Sequence, residues 1–289
     1  MSSAKEIRNK IFSVENINKV TKTMEMISIS KIKKIKFKID NRFPYKNSIK
    51  RIINNIISCN LEYTNKYLIN NSVIKNICII IISTDKGLCG SLNINLFKKI
   101  LEQIKKFYKF NIKLIVIGKK GINFFKSMNN NFIIKNFSLL EFSLSKCVTK
   151  ILDIIIDMYN KKKFQKFFLA SNKFINSMNF TPNIFQLLPF YNKNLHVNVY
   201  RKFSWDYIYE PNSKFLLKTL FKKYLRSILY CKILENLYCE HSSRFFSMKQ
   251  SSDNINNIIK KLKLTYNKSR QFTVTKEIIE IVSGYLTIS

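Results

Sequence analysis

Glycine and proline are close to absent from this chain, at 5 and 4 among 289 residues. That scarcity excludes collagen-like repeats, flexible Gly/Ser linkers and proline-rich low-complexity segments. It also leaves little material for phosphate-cradling loops, and neither GxGxxG nor GxxxxGK followed by Ser or Thr occurs. His196 and His241 are the only histidines, and the cysteines (Cys59, Cys78, Cys89, Cys147, Cys231, Cys239) form no CxxC pair. No zinc set can be completed, and the spacing suits free thiols in a reducing compartment. Carboxylates are few, with no pair at a spacing suggestive of acid–base work. The longest β-branched apolar run, Ile77–Ile82, is far too short to span a bilayer.

Positive charge is abundant: Lys+Arg 51 against Asp+Glu 17, a formal net charge of +34. Such a balance points to nucleic acid, an anionic membrane or an acidic partner. Lys, Asn, Ile, Phe and Tyr are frequent throughout, however, and all have AT-rich codons. The lysines are spread along the chain, as drift in an AT-rich genome would leave them. A basic coiled-coil nucleic-acid-binding protein is the alternative function that the charge keeps open.

Periodicity divides the chain into three parts: a helical segment over 1–60, an α/β domain over 73–206, and a helical segment over 207–289. Ser3 and Glu6 have capping-box spacing. Ile7, Ile11, Val14, Ile17, Val20, Met24 and Ile27 then follow three-four spacing, and Ile32, Ile35 and Ile39 resume it after a shift of phase. Pro44 is expected to kink or end this helix. The basic N-terminus is interrupted by Glu6, Glu15 and Glu25, and reads as a structured helix rather than a transit peptide. Strands are expected at Ile77–Ser83, Lys113–Ile117, Phe132–Phe137, Phe167–Ile175 and Phe185–Leu188, the last two flanking a turn around Pro182. His196–Phe203 and Trp205–Glu210 complete the expected sheet region. Helices are expected at Asn93–Tyr108, Lys119–Met128 and Ser145–Asn160. This alternation predicts an α/β class with a mainly parallel sheet. Asn212–Ser283 lacks Gly and Pro, lies between Pro211 and Gly284 as start and stop, and would extend roughly 105 Å as a helix. Its apolar stripe is Leu217, Leu220, Tyr224, Ile228, Cys231, Leu234 and Tyr238. The fold expected is a long antiparallel coiled coil of N- and C-terminal helices with an inserted Rossmann-like α/β domain.

Candidate chemistry centres on the loop Asp85–Ser91, at the carboxyl end of the first sheet strand. A tight turn explains its glycines as well as nucleotide binding does. Cys89 has Lys86 nearby but no identified partner base, so a catalytic thiol is disfavoured. His241, Ser242 and Ser243 read as a polar helix face, since adjacent helical residues diverge. No cofactor or metal is expected.

Several strings resemble one family. Ala4-Lys5-Glu6-Ile7-Arg8, Ile17 through Met26, and Ser30-Lys31 look like an N-terminal signature. Ser83-Thr84-Asp85-Lys86-Gly87-Leu88-Cys89-Gly90 matches a loop, and Tyr207-Ile208-Tyr209-Glu210-Pro211 the approach to a last helix. Glu235-Asn236, Glu240 to Arg244, Ser252-Asp253-Asn254, Tyr266 to Gln271, and Thr275 to Gly284 follow in order. Together they resemble, end to end, the gamma subunit of F-type ATP synthase, bacterial type. The resemblance implies a non-catalytic central-stalk rotor, coupling proton flow through a membrane ring to the catalytic sites of beta subunits. Implied partners are the alpha and beta subunits, the epsilon subunit and the c-ring. The implied location is peripheral, on the cytoplasmic face of the bacterial inner membrane. It further implies that Arg270, Gln271, Lys22, Met24 and Lys86 contact beta, and that Tyr207 and Glu210 contact the ring. Lys86 stands where the family usually has Arg, which weakens bidentate pairing. Ser91 and Asn212 also depart from the family pattern, and the tail Tyr285–Ser289 is bulkier than usual.

Overall fold

The computed structural model describes residues 4–59, 74–128, 132–138, 144–176, 179–190, 210 and 213–288. In order the elements are α1 (Ala4–Cys59), β1 (Asn76–Ile82), α2 (Leu92–Lys106), β2 (Asn111–Ile117), α3 (Lys119–Met128), β3 (Ile133–Phe137), α4 (Leu144–Asn160), β4 (Lys166–Phe174), β5 (Phe180–Leu188) and α5 (Ser213–Ile288). Two units result: 1–30 with 244–289, and 31–243.

The larger unit is built on a five-stranded sheet of order β3-β2-β1-β4-β5. β1 pairs in parallel with β2 and β4, β2 in parallel with β3, and β5 returns antiparallel on β4. The run Ile77–Ile82 is apolar at every position because both faces are covered. Its odd residues Ile77, Ile79 and Ile81 pack with Leu96, Ile100 and Phe125 of α2 and α3. Its even residues Cys78, Ile80 and Ile82 share a core with Ile151 and Ile155 of α4, Ile53 and Ile56 of α1, and the ridge of α5. That ridge is Leu217, Phe221, Leu225, Leu229 and Ile233, each almost fully buried. It overlaps the stripe expected from sequence only in part: Leu217 and Leu234 are buried as expected, whereas Leu220, Tyr224, Ile228, Cys231 and Tyr238 are half-buried flanks. Both lines are apolar and both contain four-residue rows, so sequence spacing alone does not say which goes inward.

Pro182 lies within β5, opposite Asn172, not in a turn. Among the described strands β5 has one neighbour, β4, and at an outward-facing position of such a strand a missing N–H costs no ladder bond. The reversal falls instead between β4 and β5, where Ile175 and Asn176 donate backbone N–H to Asn179 O. Pro44 does not end α1, which continues to Cys59. Ile49, Ile53 and Ile56 beyond it are anchored in the core, and their burial holds the helix past the lost hydrogen bond. The segments 196–203 and 205–209 lie outside the described residues. Gly284 does not stop α5, which runs on to Ile288.

In the smaller unit α1 and α5 pair antiparallel. Asn18 Nδ2 donates to Asn256 Oδ1 at 2.8 Å, Ser252 Oγ donates to Asn18 Oδ1 at 2.9 Å, and Lys263 meets Glu15 at 3.5 Å. The covered positions of α1 include Ile7, Ile11, Val14, Asn18, Thr21, Glu25 and Ser28, and those of α5 include Met248, Ser252, Ile255, Ile259, Leu262, Tyr266 and Ser269. Each set follows a heptad, with Glu15, Met24, Ser251 and Asn256 half-covered beside it. Along α1 the same phase runs on into Ile32, Ile35 and Ile39, all half-buried, so the expected phase shift does not occur. From Asn18 to Ser28 polar residues occupy the seam, and Ile17, Val20 and Ile27 are left exposed beside it. A polar residue at a seam position fixes register at some cost in stability. Asn18→Ala is expected to lower unfolding stability by about 1–2 kcal/mol, for two lost hydrogen bonds in a half-buried site. Urea denaturation of the full chain followed by circular dichroism measures this.

Candidate functional site

The loop between β1 and α2 is positioned by a tight junction at the sheet's carboxyl end. Ser83 Oγ donates to Ile117 O at 2.8 Å and accepts from Gly121 N at 3.1 Å. Asp85 Oδ1 accepts from Lys119 N at 2.9 Å and so caps α3, whose first amides have no intrahelical partner. Thr84 Oγ1 donates to Lys86 O, and Asn93 Nδ2 donates to Thr84 Oγ1 at 2.7 Å. The loop's hydrogen-bonding groups are thus spent on its own shape. Cys89 is buried against Leu92 and Cys239, and its thiol lies 3.4 Å from Asn93 Nδ2. Lys86 and Leu88 are exposed, Leu88 with φ +62. What the loop presents outward is the Lys86 and Leu88 side chains.

A second feature was missed by sequence reasoning. Asn236, fully buried on α5, accepts through Oδ1 from Asn172 Nδ2 at 3.0 Å and from Asn172 N at 3.3 Å. One turn and more along the same helix, Ser243 Oγ donates to Cys89 O at 2.6 Å. Burial pushes the Cys239 thiol between them up to about 12, so it is inert at neutral pH. The stretch Glu240 to Ser242 is likewise buried. The expected polar helix face is present and points inward, clamping α5 to β4 and to the β1–α2 loop. Thinning of the apolar stripe from Glu240 onward was the available signal, but it does not distinguish a solvated face from a buried hydrogen-bonded one.

The expected contact residues fall at separate places. Lys22 is exposed and Met24 half-buried on α1, within two turns of the Asn18–Asn256 bond. Arg270 and Gln271 lie about 21 Å farther along α5 than Asn256, at about 1.5 Å per residue. They begin a stretch in which every residue to Ser283 is exposed, including Phe272 at 63% and Ile281 at 72%. Glu210 is exposed, and Tyr207 lies outside the described residues. Among the described residues of either unit, no nucleophile–base pair or carboxylate pair joins these positions. A helix end with apolar and cationic groups bare on all sides requires protein around it.

The two-helix pairing and the α/β unit between the long terminal helices define a class of helical subunit with an inserted α/β domain. The ATP synthase family profile matches residues 3–288. The ATP synthase gamma chains of Buchnera aphidicola from Schlechtendalia chinensis and from Acyrthosiphon pisum (strain Tuc7) are each 44% identical, covering 100% of this chain and 99% of theirs. Among solved structures, a chain of the Euglena gracilis mitochondrial ATP synthase (OSCP/F1/c-ring) superposes with TM-score 0.66 at 16% identity, over 99% of this chain and 94% of that one. A chain of the Tetrahymena thermophila mitochondrial ATP synthase central stalk and c-ring gives 0.64 at 19%, over 81% and 99%. The chain belongs to the ATP synthase gamma-chain family, a rotor subunit and not the catalytic one. Nothing in these likenesses favours nucleic-acid binding.

Proposed function

We propose that this chain is the central-stalk rotor of a proton-translocating F-type ATP synthase. In this reading, proton flow turns a membrane ring, and the ring turns the α/β unit. The paired helices, turning inside a hexamer of alpha and beta subunits, impose successive conformations on the catalytic sites of beta. The carrying observation is the bare end of α5 from Arg270 onward, in a chain whose relatives match over its full length. Torque transmission explains why α1 and α5 each contribute to both units without a break: a shaft needs hydrogen-bonded backbone between drive and load. The buried clamp of Asn236 on Asn172 and Ser243 on Cys89 keys α5 to the sheet, so that α5 turns with it rather than slipping. Arg270 and Gln271 are assigned to a beta-subunit loop. Lys22, Met24 and Lys86 are assigned to its mobile acidic segment, and Tyr207 and Glu210 to the ring, with the epsilon subunit beside the α/β unit. The complex would sit peripherally at the cytoplasmic face of the bacterial inner membrane. No helix among the described residues is long and apolar enough to cross a membrane, and attachment is assigned to the ring.

The test is reconstitution with the cognate alpha and beta subunits. An ATP-hydrolysing complex that copurifies with this chain is expected. Failure to assemble, with the chain itself folded, would sink the reading.

A further inference from the structure

We propose that the larger unit carries a binding site for an amphipathic organic monoanion, a carboxylate on an acyl or aryl group, in the cavity between α1, α5 and the β4–β5 hairpin. The inference is independent of the rotor reading. The cavity measures about 450 Å³, within the range of about 300–1,000 Å³ typical of small-molecule sites. Its walls are apolar and aromatic: Ile39 and Phe43 from α1, Phe174 and Phe185 from the sheet, Ile228 and Tyr238 from α5. The α5 wall is the flank that the ridge Leu217–Ile233 leaves outside the core. Its half-buried Tyr224, Ile228, Cys231 and Tyr238 line the space; Tyr224 and Ile228 are backed by the core, and Tyr238 meets the Phe174 ring edge-on at 5.0 Å.

The charges in the wall are arranged for one anion. Lys46, Lys36, Lys50 and Lys232 line the cavity against only Asp40 and Glu235. Glu235 is already taken, accepting from Lys232 Nζ at 2.6 Å. Lys46 has no ion-pair partner among the described residues, and its ammonium rests 3.8 Å from the centroid of the Phe43 ring. Burial lowers its pKa, with Lys232 and Lys50 adding to the effect against the opposing pull of Cys231 and Glu235. A carboxylate entering beside Lys46 would supply the missing counter-charge in a partly desolvated setting, where it counts for more than at the surface. A phosphate dianion would need several fixed donors. Here the wall offers one half-buried ammonium without an ion pair, Lys46, since the other, Lys232, is held by Glu235, and no arginine fork. A cation would meet the surplus of lysines.

Cys231 supplies an internal reporter, because it lines the cavity and is the least buried of the described cysteines. The full chain is treated with N-ethylmaleimide with and without decanoate, and labelling at each cysteine is read by peptide mass spectrometry. Decanoate is expected to slow labelling of Cys231 by about tenfold, while methyl decanoate and decylamine protect far less. In titration calorimetry, Lys46→Gln is expected to weaken decanoate binding by about tenfold, and Lys46→Arg to retain it. Because Lys46 is not in the core, the folded state of both variants is checked by circular dichroism, and the arginine variant controls for a fold defect. Saturating decanoate that leaves Cys231 labelling unchanged overturns the proposal. So does equal protection by methyl decanoate, or an affinity unaltered by Lys46→Gln.

Discussion

Gly118→Ala is expected to destabilise the α/β unit by about 2–5 kcal/mol, a large share of the roughly 5–15 kcal/mol that holds a domain. Gly118 ends β2 with φ +103, and a Cβ added there would lie 2.5 Å from the Ser83 carbonyl oxygen. Backbone of this kind is not a flexible side-chain tip that could swing aside. Both strand ends would have to separate, and that strains the Ser83 N to Ile117 O bond (2.8 Å) and the Gly118 N to Phe137 O bond (2.8 Å). The second of these joins β2 to the five-residue strand β3, which has β2 as its one neighbour among the described strands. Loss of β3 pairing is therefore expected before global unfolding, readable as fast amide exchange at Ile133–Phe137. Gly87→Ala is the contrast. Its added Cβ would first meet the end of the Lys120 side chain at 3.5 Å, and its cost is expected to stay within about 0.5–1 kcal/mol. Equal denaturation midpoints for the two variants would refute the steric account.

The α/β alternation was legible because burial on both faces writes a continuous apolar run, and Ile77–Ile82 is such a run. Pro182 misled because residue type alone does not say whether a strand is central or at an edge. The α1 seam misled for a different reason. Periodicity follows apolar residues, and between Asn18 and Ser28 the seam is polar while Ile17, Val20 and Ile27 are exposed. That inversion makes sense for a helix that pairs with one neighbour and presents another side to separate chains, since apolar residues are then wanted on two faces. The Asn172–Asn236 pair could not be read at all. Its members are 64 residues apart, and nothing local distinguishes a buried asparagine from a solvated one. The contact residues Arg270 and Gln271 came from resemblance to a family. The structure adds the physical circumstance that the helix is bare from that point.

Replacing Arg270 and Gln271 by alanine is expected to reduce ATP turnover of the assembled complex without lowering the stability of the free chain. Both residues are exposed on α5, and among the described residues their side chains make no hydrogen bond or ion pair. Alanine is the best helix former, so α5 should hold or slightly gain stability. Any functional loss must then come from contacts with other subunits. A charge-assisted hydrogen bond contributes about 1.5–3 kcal/mol. Taken wholly in the slowest step, its removal slows turnover by roughly tenfold to a hundredfold. Arg270→Lys should recover only part of this, because an ammonium keeps the charge and loses the planar fork. The sharp outcome is a split between two measurements: thermal unfolding of the isolated chain unchanged, and hydrolysis by the reconstituted complex sharply reduced. A parallel fall in both would make the pair part of the chain's own architecture. Unchanged hydrolysis would remove it from the beta-subunit contact and leave Phe272, Ile278 and Ile281, the apolar residues of the same bare stretch, to carry the engagement.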